Sequence, residues 1–153
     1  MTVTVKGPWS LHQVETFLGE AVIPMRLAGV RGDGFPQVVS VWFRYRGGRL
    51  QCVSHRDSFL VALLQANPKV GFEVAPNDPP YYGVRGRGIA ELQALGDSDA
   101  LEHLIARYLG SGKSRVGNWL LSRREEELLI TIEPLRLFSW DYRQRMADVG
   151  ADQ

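Results

Sequence analysis

Short runs of alternating apolar and polar residues, separated by turn residues, dominate the chain between positions 21 and 92. The clearest alternation covers residues 38–45. The side chains at every second position, from 39 to 45, share one face and are apolar, which predicts a half-buried strand. Further strands are predicted at 21–30, 50–54, 69–75 and 84–92, because turn-forming Gly, Pro, Asn and Asp residues bound each run. The pattern predicts a sheet of short antiparallel strands joined by tight turns.

Helical periodicity occupies the rest of the chain. A capping box at Ser10 opens a helix over about 10–18, and amphipathic runs predict helices at 101–109 and 116–124. A shorter helix over 58–66, with Asp57 as its N-cap, interrupts the strands and ends at Asn67-Pro68. After position 127 we expect a strand at 128–132 that Pro134 stops, a continuation over 135–142, and a frayed tail over 147–153.

Length and composition fit one ordinary globular domain spanning residues 1–153. Hydrophobic residues make up 44% and charged residues 23%, and the formal net charge of +1 gives no support for nucleic-acid binding. There is no long apolar run and no signal-like N-terminus, so no membrane association is expected. A lone cysteine, Cys52, fits a reducing compartment, and the expected location is the cytoplasm. The three histidines are dispersed, so no metal site is expected.

Several weak motifs occur in a specific order. They are a DG-x-P hairpin at Asp33-Gly34-x-Pro36, the strand VVSVWF, a polar turn in which Ser58 opens a helix, an NP-x-V start at Asn67-Pro68-x-Val70, the strand VRGRGIAEL and a late FSWD. In this order the chain resembles the pyridoxamine 5′-phosphate oxidase-like, flavin-binding split-barrel superfamily over roughly residues 20–142.

The resemblance implies a mainly β fold, a six-stranded antiparallel split barrel of the FMN-binding type with flanking helices, acting as a homodimer. It implies an oxidoreductase in which FMN passes hydride to or from an unknown small-molecule substrate, with a reduced nicotinamide as one candidate. Two alternatives stay open. One is a reductase that uses the 8-hydroxy-5-deazaflavin coenzyme, and the other is a flavin-binding or storage protein without turnover.

The turn before the short helix is the main candidate for a cofactor site. An arginine beside a helix N-terminus, with hydroxyl groups and free backbone N–H groups, suits a phosphate. The resemblance places the cofactor phosphate here, which assigns Ser54, His55, Arg56 and Ser58 to it. The competing interpretation is a solvated turn whose Asp57 caps the helix.

The resemblance lays the isoalloxazine ring along the VVSVWF strand, so Val39, Ser40, Val41 and Trp42 are the residues expected beside it. For Trp42, however, the general tendency of large aromatic residues in strands favours the core or a subunit interface. The main departure from the superfamily is Leu60. Relatives often carry a phosphate-neutralising lysine at this position, so the leucine is either a buried packing residue or a lost contact.

Other candidates lie outside the turn. Tyr82 follows a rigid proline-containing loop that could wall a ligand pocket, and Asn118 lies in a segment that in this superfamily often reaches the partner subunit's site. Arg85 and Arg87 share one strand face, which suits either an anion or carboxylates across a subunit interface.

Overall fold

The computed structural model describes residues 2–110, 112 and 114–150. Within them the chain forms eight strands and five α-helices. The strands are β1 (Thr4–Lys6), β2 (Met25–Val30), β3 (Pro36–Val41), β4 (Arg44–Arg46), β5 (Arg49–His55), β6 (Lys69–Val74), β7 (Tyr82–Ala94) and β8 (Glu127–Asp141). The helices are α1 (Leu11–Glu20), α2 (Phe59–Ala66), α3 (Ala100–Leu109), α4 (Arg115–Ser122) and α5 (Arg143–Gly150), with a 3₁₀ turn at Arg124–Glu126 before β8.

The strands form one sheet in the order β3-β2-β6-β7-β8-β5-β4. All neighbours in this path are antiparallel, whereas β1 pairs in parallel with β8. The two end strands, β3 and β4, are consecutive in the chain and meet at Trp42-Phe43, so the sheet curls round without closing. This is the expected split barrel with flanking helices.

The described sheet has eight strands instead of six for two reasons. The run predicted as one strand over 38–45 is divided at Trp42-Phe43, because β3 pairs with β2 and β4 pairs with β5. Strand β1 adds a short segment before α1 that was not predicted, although Val3 and Val5 alternate there with polar residues.

Pro134 does not stop the last strand, contrary to the sequence prediction. Strand β8 continues through it, and the ladder with β7 shifts register between Arg87 and Gly88, where Gly88 lies opposite Pro134. A bulge leaves a residue without its normal ladder partner, and this is where a strand tolerates a proline that lacks an N–H.

The main core fills the curled sheet and is closed by two helices. Helix α1 buries Val14 and Leu18 in it, and α2 buries Leu60 and Leu64. A smaller cluster lies under α3 and includes Leu101 and Leu129. Burying each such side chain contributes about 1.5–3 kcal/mol, so the two helices are fixed on the barrel by packing.

Two local predictions are corrected. The N-cap of α2 is Ser58, whose hydroxyl accepts a hydrogen bond from the Val61 N–H, and Asp57 stands one position too early. The segment after β8 is helical over Arg143–Gly150, where a frayed tail was expected from position 147; residues 151–153 lie outside the described residues.

Candidate functional site

Strand β5 leads through a two-residue turn directly into helix α2. The Ser54 hydroxyl at the end of the strand lies 2.7 Å from the Ser58 hydroxyl, which also accepts the Val61 N–H at 3.1 Å. Because the first N–H groups of a helix have no intrahelical acceptor, a ligand can take those that the cap leaves. Among the described residues no acceptor is found for the N–H groups of Phe59 and Leu60.

His55 and Glu126 hold the turn from the side of β8. The N–H of Asp57 donates to His55 Nδ1 at 3.1 Å, so the ring proton is on Nε2, which donates to Glu126 Oε2 at 2.9 Å. This hydrogen bond from His55 lowers the pKa of the Glu126 carboxyl. The Arg56 N–H donates to the Glu126 carbonyl at 2.8 Å. The backbone of the turn is therefore fixed, and His55 is engaged within the protein.

Two guanidinium groups remain near the start of α2. The Arg56 side chain is 57% exposed, and its nearest described carboxylate oxygen, on Asp57, is 4.0 Å from its Nε. Arg31, just after β2, has its Nε 3.7 Å from Asp33 Oδ2 and its guanidinium carbon 5.9 Å from the centre of the Phe59 ring. This contact brings the β2–β3 hairpin close to the start of the helix. Hydroxyl, N–H and guanidinium donors together can hold an oxyanion.

The strand order leaves a split in the sheet between β3 and β5 beside this turn, and we call this split the slot. One edge of β3 pairs with β2, and among the described strands the other edge has no partner. Strand β4 covers β5 only at Arg49–Gln51, so the residues from Cys52 to His55 also lack a partner on that side. The two unpaired edges face the split in the barrel, and their backbone N–H and C=O groups are available to a ligand.

Along β3, the side chains beside this slot alternate between the core of the barrel and its outer surface. Val39 and Val41 point inward and pack against the core, whereas Ser40 is exposed. A ligand in the slot would therefore meet the backbone of β3 and not the two valine side chains.

Trp42 stands at the corner between β3 and β4 and is packed on helix α3. Its ring stacks on Tyr108 with centroids 5.1 Å apart and planes 4° from parallel. The Tyr108 hydroxyl accepts the Phe43 N–H at 3.2 Å and donates to the Ile23 carbonyl at 2.9 Å. The corner is thus fixed to α3, which agrees with the general tendency of large aromatic residues to pack in the core.

The two residues after the N-cap explain the departure from the superfamily pattern. Leu60 is only 7% exposed and belongs to the main core, so the leucine is a packing residue. Phe59 occupies the outer position of the first turn and is 52% exposed. Neither residue supplies a cation to a phosphate.

Tyr82 lies away from this turn within one protomer. Tyr82 begins β7 and packs on Trp9 and Phe17, whereas the other end of β7, at Ala94, reaches the level of Ser54 through β8. At about 3.3 Å per residue these ends of β7 are separated by roughly 40 Å of strand. Asn118 lines a cleft of 260 Å³ between α3 and α4.

The site thus brings together four predicted residues of the turn and places the β3 backbone beside the slot. Sequence analysis missed Glu126, Arg31 and the exposed position of Phe59. Only the tertiary pairing of β5 with β8 brings Glu126 to the turn, and no sequence signal marks it. In the part of the chain that the structure describes, no group of three or more His, Cys, Asp or Glu side chains could hold a metal ion.

Neither a protein-family model nor a curated protein matches the sequence. Solved structures do match. A conserved hypothetical protein from Mycobacterium tuberculosis has a TM-score of 0.77 and 19% identity, covering 95% of this chain and 92% of its own. An F420 reductase has a TM-score of 0.68 and 27% identity, covering 80% of this chain and 94% of its own. A Listeria innocua protein, provisionally assigned as a pyridoxamine 5′-phosphate oxidase, has a TM-score of 0.61 and 19% identity, covering 82% and 94%.

The chain has the pyridoxamine 5′-phosphate oxidase-like split-barrel fold. In this split barrel, helix α2 follows the unpaired end of β5. The slot lies between β3 and β5. No described helix is long and apolar enough to cross a membrane.

Proposed function

We propose that this split barrel is an FMN-dependent oxidoreductase that transfers hydride through the flavin to a small-molecule substrate. The observation that carries the proposal is the slot between the unpaired edges of β3 and β5, which starts at the donor groups of Ser54, Arg56 and Ser58. A phosphorylated planar ligand needs an oxyanion site at one end and backbone donors and acceptors along a flat edge. The slot offers both.

The phosphate would lie at the start of α2. Arg56 would supply a charge-assisted hydrogen bond, and the N–H groups of Phe59 and Leu60 would complete the oxyanion site. One hydroxyl of the Ser54–Ser58 pair donates its proton to the other, so the pair has one proton left to donate to a phosphate. These donors fit a phosphate, and the flexible side chain of Arg56 is the cation among them.

The ring would lie along β3, where the backbone between Val39 and Trp42 can orient it. FMN supplies the hydride-accepting and hydride-donating chemistry when bound, so the protein needs no nucleophile or general base of its own for the transfer. The contribution of this chain is to bind, orient and shield the ring. A reduced nicotinamide is a suitable hydride donor for a first assay.

A deazaflavin coenzyme is the second candidate, and two observations favour it. The F420 reductase is 27% identical to this chain, above the other two structures compared. In addition, Phe59 and Leu60 leave the first turn of α2 without a cation, so the grip on the terminal phosphate of FMN is weaker than a lysine would make it. A deazaflavin differs from FMN at the ring atom that carries the hydride, and it would use the same slot.

The test is the absorbance spectrum of the purified protein, followed by titration of the cofactor-free chain with FMN and with F420. Flavin bands, or saturable FMN binding with a slow nicotinamide oxidation, support the first candidate. A colourless protein that binds F420 and not FMN replaces it with the second. Binding of either cofactor without any hydride transfer, whether from a reduced nicotinamide or from the reduced cofactor to an added acceptor, would show a carrier and refute the enzyme. Saturable binding of neither would refute the whole proposal.

We also propose that the protein acts as a homodimer in the cytoplasm. Tyr82 lies too far along β7 to reach Ser58 of the same chain, so a site that uses both residues needs a second copy. Light scattering at micromolar concentration should return twice the 17.2 kDa chain mass. A monomer mass would remove Tyr82 from the site.

A further inference from the structure

A group of arginines lies on the outer face of the open sheet, on strands β2, β7 and β8. Arg26 on β2 is opposite Glu73 on β6, and Glu73 is opposite Arg85 on β7. In the next row Arg87 on β7 is opposite Arg136 on β8. This face therefore carries four arginines and one glutamate in two neighbouring rows.

The Arg87–Arg136 pair is unfavourable for the fold alone. Directly opposed residues of an antiparallel ladder have Cβ atoms about 4.5–5.5 Å apart, and like charges in such pairs are destabilising. Both side chains are exposed, and no carboxylate within 4.0 Å of either guanidinium is found in residues 2–110, 112 and 114–150. The pair also adjoins the bulge at Gly88. Bulges are over-represented next to functional sites because they re-aim side chains.

The other two arginines of the face already have partners or neighbours. Arg85 lies with its guanidinium carbon 4.4 Å from the Phe138 ring centre and 5.5 Å from that of Trp140. Glu73 lies opposite both Arg26 and Arg85 in the ladder, whereas the other ladder neighbours of Arg87 and Arg136 are Gly71 and Thr4. The Arg87–Arg136 pair is therefore the part of this face that has no acidic residue opposite it.

Two hollows of the surface meet at this pair. One, of about 800 Å³, has a floor of Ala28 and Gly71, and the other, of about 410 Å³, is bordered by Lys69 and Thr4. Arg87 and Arg136 line both. Small floor residues leave space above the sheet, and Lys69 adds a third cation. Volumes of a few hundred Å³ suit a small molecule.

We propose that Arg87 and Arg136, with Lys69, bind a small molecule that carries two or more carboxylate or phosphate groups. The planar guanidinium group of each arginine can donate two hydrogen bonds to a carboxylate or phosphate group. An anion bound between the two arginines also removes the repulsion between their charges. The three side chains are on β6, β7 and β8 and differ from those of the proposed cofactor site, so the proposal does not depend on the proposed redox function.

The test is calorimetric titration of the full chain at low ionic strength with citrate, as a polycarboxylate, and with pyrophosphate, as a polyphosphate. Arg87→Gln and Arg136→Gln should each weaken the better of the two anions at least tenfold, since each removes a charge-assisted hydrogen bond. Arg136→Lys, which keeps the charge but loses the planar fork, should fall between wild type and Arg136→Gln. Arg115→Gln, at an exposed arginine on α4, is the matched control and should bind as wild type.

Stability gives a second readout. Without added anion, Arg136→Gln should melt at a higher temperature than wild type, because the opposed charges are relieved, and citrate or pyrophosphate should raise the melting temperature of wild type more than that of the variant. Arg56→Gln should keep this anion response, and Arg136→Gln should keep cofactor binding, so the two sites are tested independently.

Three results would overturn the proposal. The first is that neither anion gives a saturable heat with wild type. The second is that the glutamine variants bind as tightly as Arg115→Gln. The third is that Arg136→Gln changes only the mass measured by light scattering, which would assign the pair to a contact between subunits.

Discussion

The hydroxyl oxygens of Ser54 and Ser58 lie 2.7 Å apart, which joins the last residues of strand β5 to the N-cap of helix α2. The Ser58 oxygen also accepts the Val61 N–H, so one atom both caps the helix and fixes its position on the sheet. The geometry of the proposed phosphate site depends on this link, because the N-cap sets the direction of the N–H groups in the first turn of α2.

Ser58→Ala should lower stability by about 1 kcal/mol, the usual cost of losing an N-cap, and weaken FMN. In a chain of this size the melting temperature should fall by roughly 2–4 °C. Ser114→Ala is the matched control, because Ser114 caps α4 by accepting the Gly117 N–H at 2.9 Å. It should cost similar stability and leave FMN affinity unchanged. Equal effects of the two variants on FMN would place the phosphate elsewhere.

Arg56→Gln should weaken FMN by about 1.5–3 kcal/mol, or roughly 10- to 150-fold, because it removes a charge-assisted hydrogen bond. Riboflavin, which lacks the phosphate, should bind equally to both proteins. Fluorescence titration with the two ligands measures the difference, and Arg115→Gln serves as the control. If both ligands lose the same affinity, Arg56 does not contact the phosphate.

Lysine substitutions on the first turn of α2 should have opposite effects at neighbouring positions. Leu60→Lys should cost more than about 2 kcal/mol of unfolding free energy, because it replaces a buried core side chain by a charge. Phe59→Lys should cost less than about 1 kcal/mol, the value of an exposed cation–π contact, and should tighten FMN in a salt-dependent way. Melting curves and FMN titrations on both variants check this. A gain of FMN affinity in Leu60→Lys alone would show that the first turn faces the other way.

The contact between Asp141 and Arg143 should make stability depend on acid pH. Hydrogen bonding from Arg143, which donates from its guanidinium at 2.7 Å, lowers the pKa of Asp141 from 3.8 to about 2. A carboxyl whose pKa is lower in the folded state stabilises the fold above its unfolded pKa, and this contribution is lost as the pH falls from about 4 through about 2. Arg143→Gln should therefore be less stable than wild type at pH 7 and nearly equal to it below pH 2. Arg145→Gln, also on α5, should show no such convergence, and melting curves between these pH values distinguish them.

The sequence predicted the elements whose signals are local. Alternation identified β3, and the capping box at Ser10 placed α1, because both signals arise from neighbouring residues. It failed where a distant partner decides. Pro134 reads as a strand stop, yet the bulge opposite Gly88 accommodates it. Position 60 could not be assigned to core or site from its type, because only the packing of α2 on the barrel determines which side faces inward.

The candidate site was predicted as far as it lies on one continuous segment. Ser54 to Ser58 are within five positions, so the turn was visible in the sequence. Glu126, in contrast, is brought to His55 by the β5–β8 pairing, and Arg31 is brought to Phe59 by the docking of α2. The like-charged pair of Arg87 and Arg136 could not be inferred, because the bulge sets its register.

The hydroxyl of Tyr108 fixes the open end of the β2–β3 hairpin to helix α3. It is hydrogen-bonded to both Phe43, at the corner of β3 and β4, and Ile23, just before β2, so the position of α3 is tied to the position of this hairpin. A shift of α3 would therefore move β3, which forms one wall of the slot, through the corner at Trp42-Phe43. Variation in this helix can adjust the shape of the ligand that fits while every contact residue stays the same.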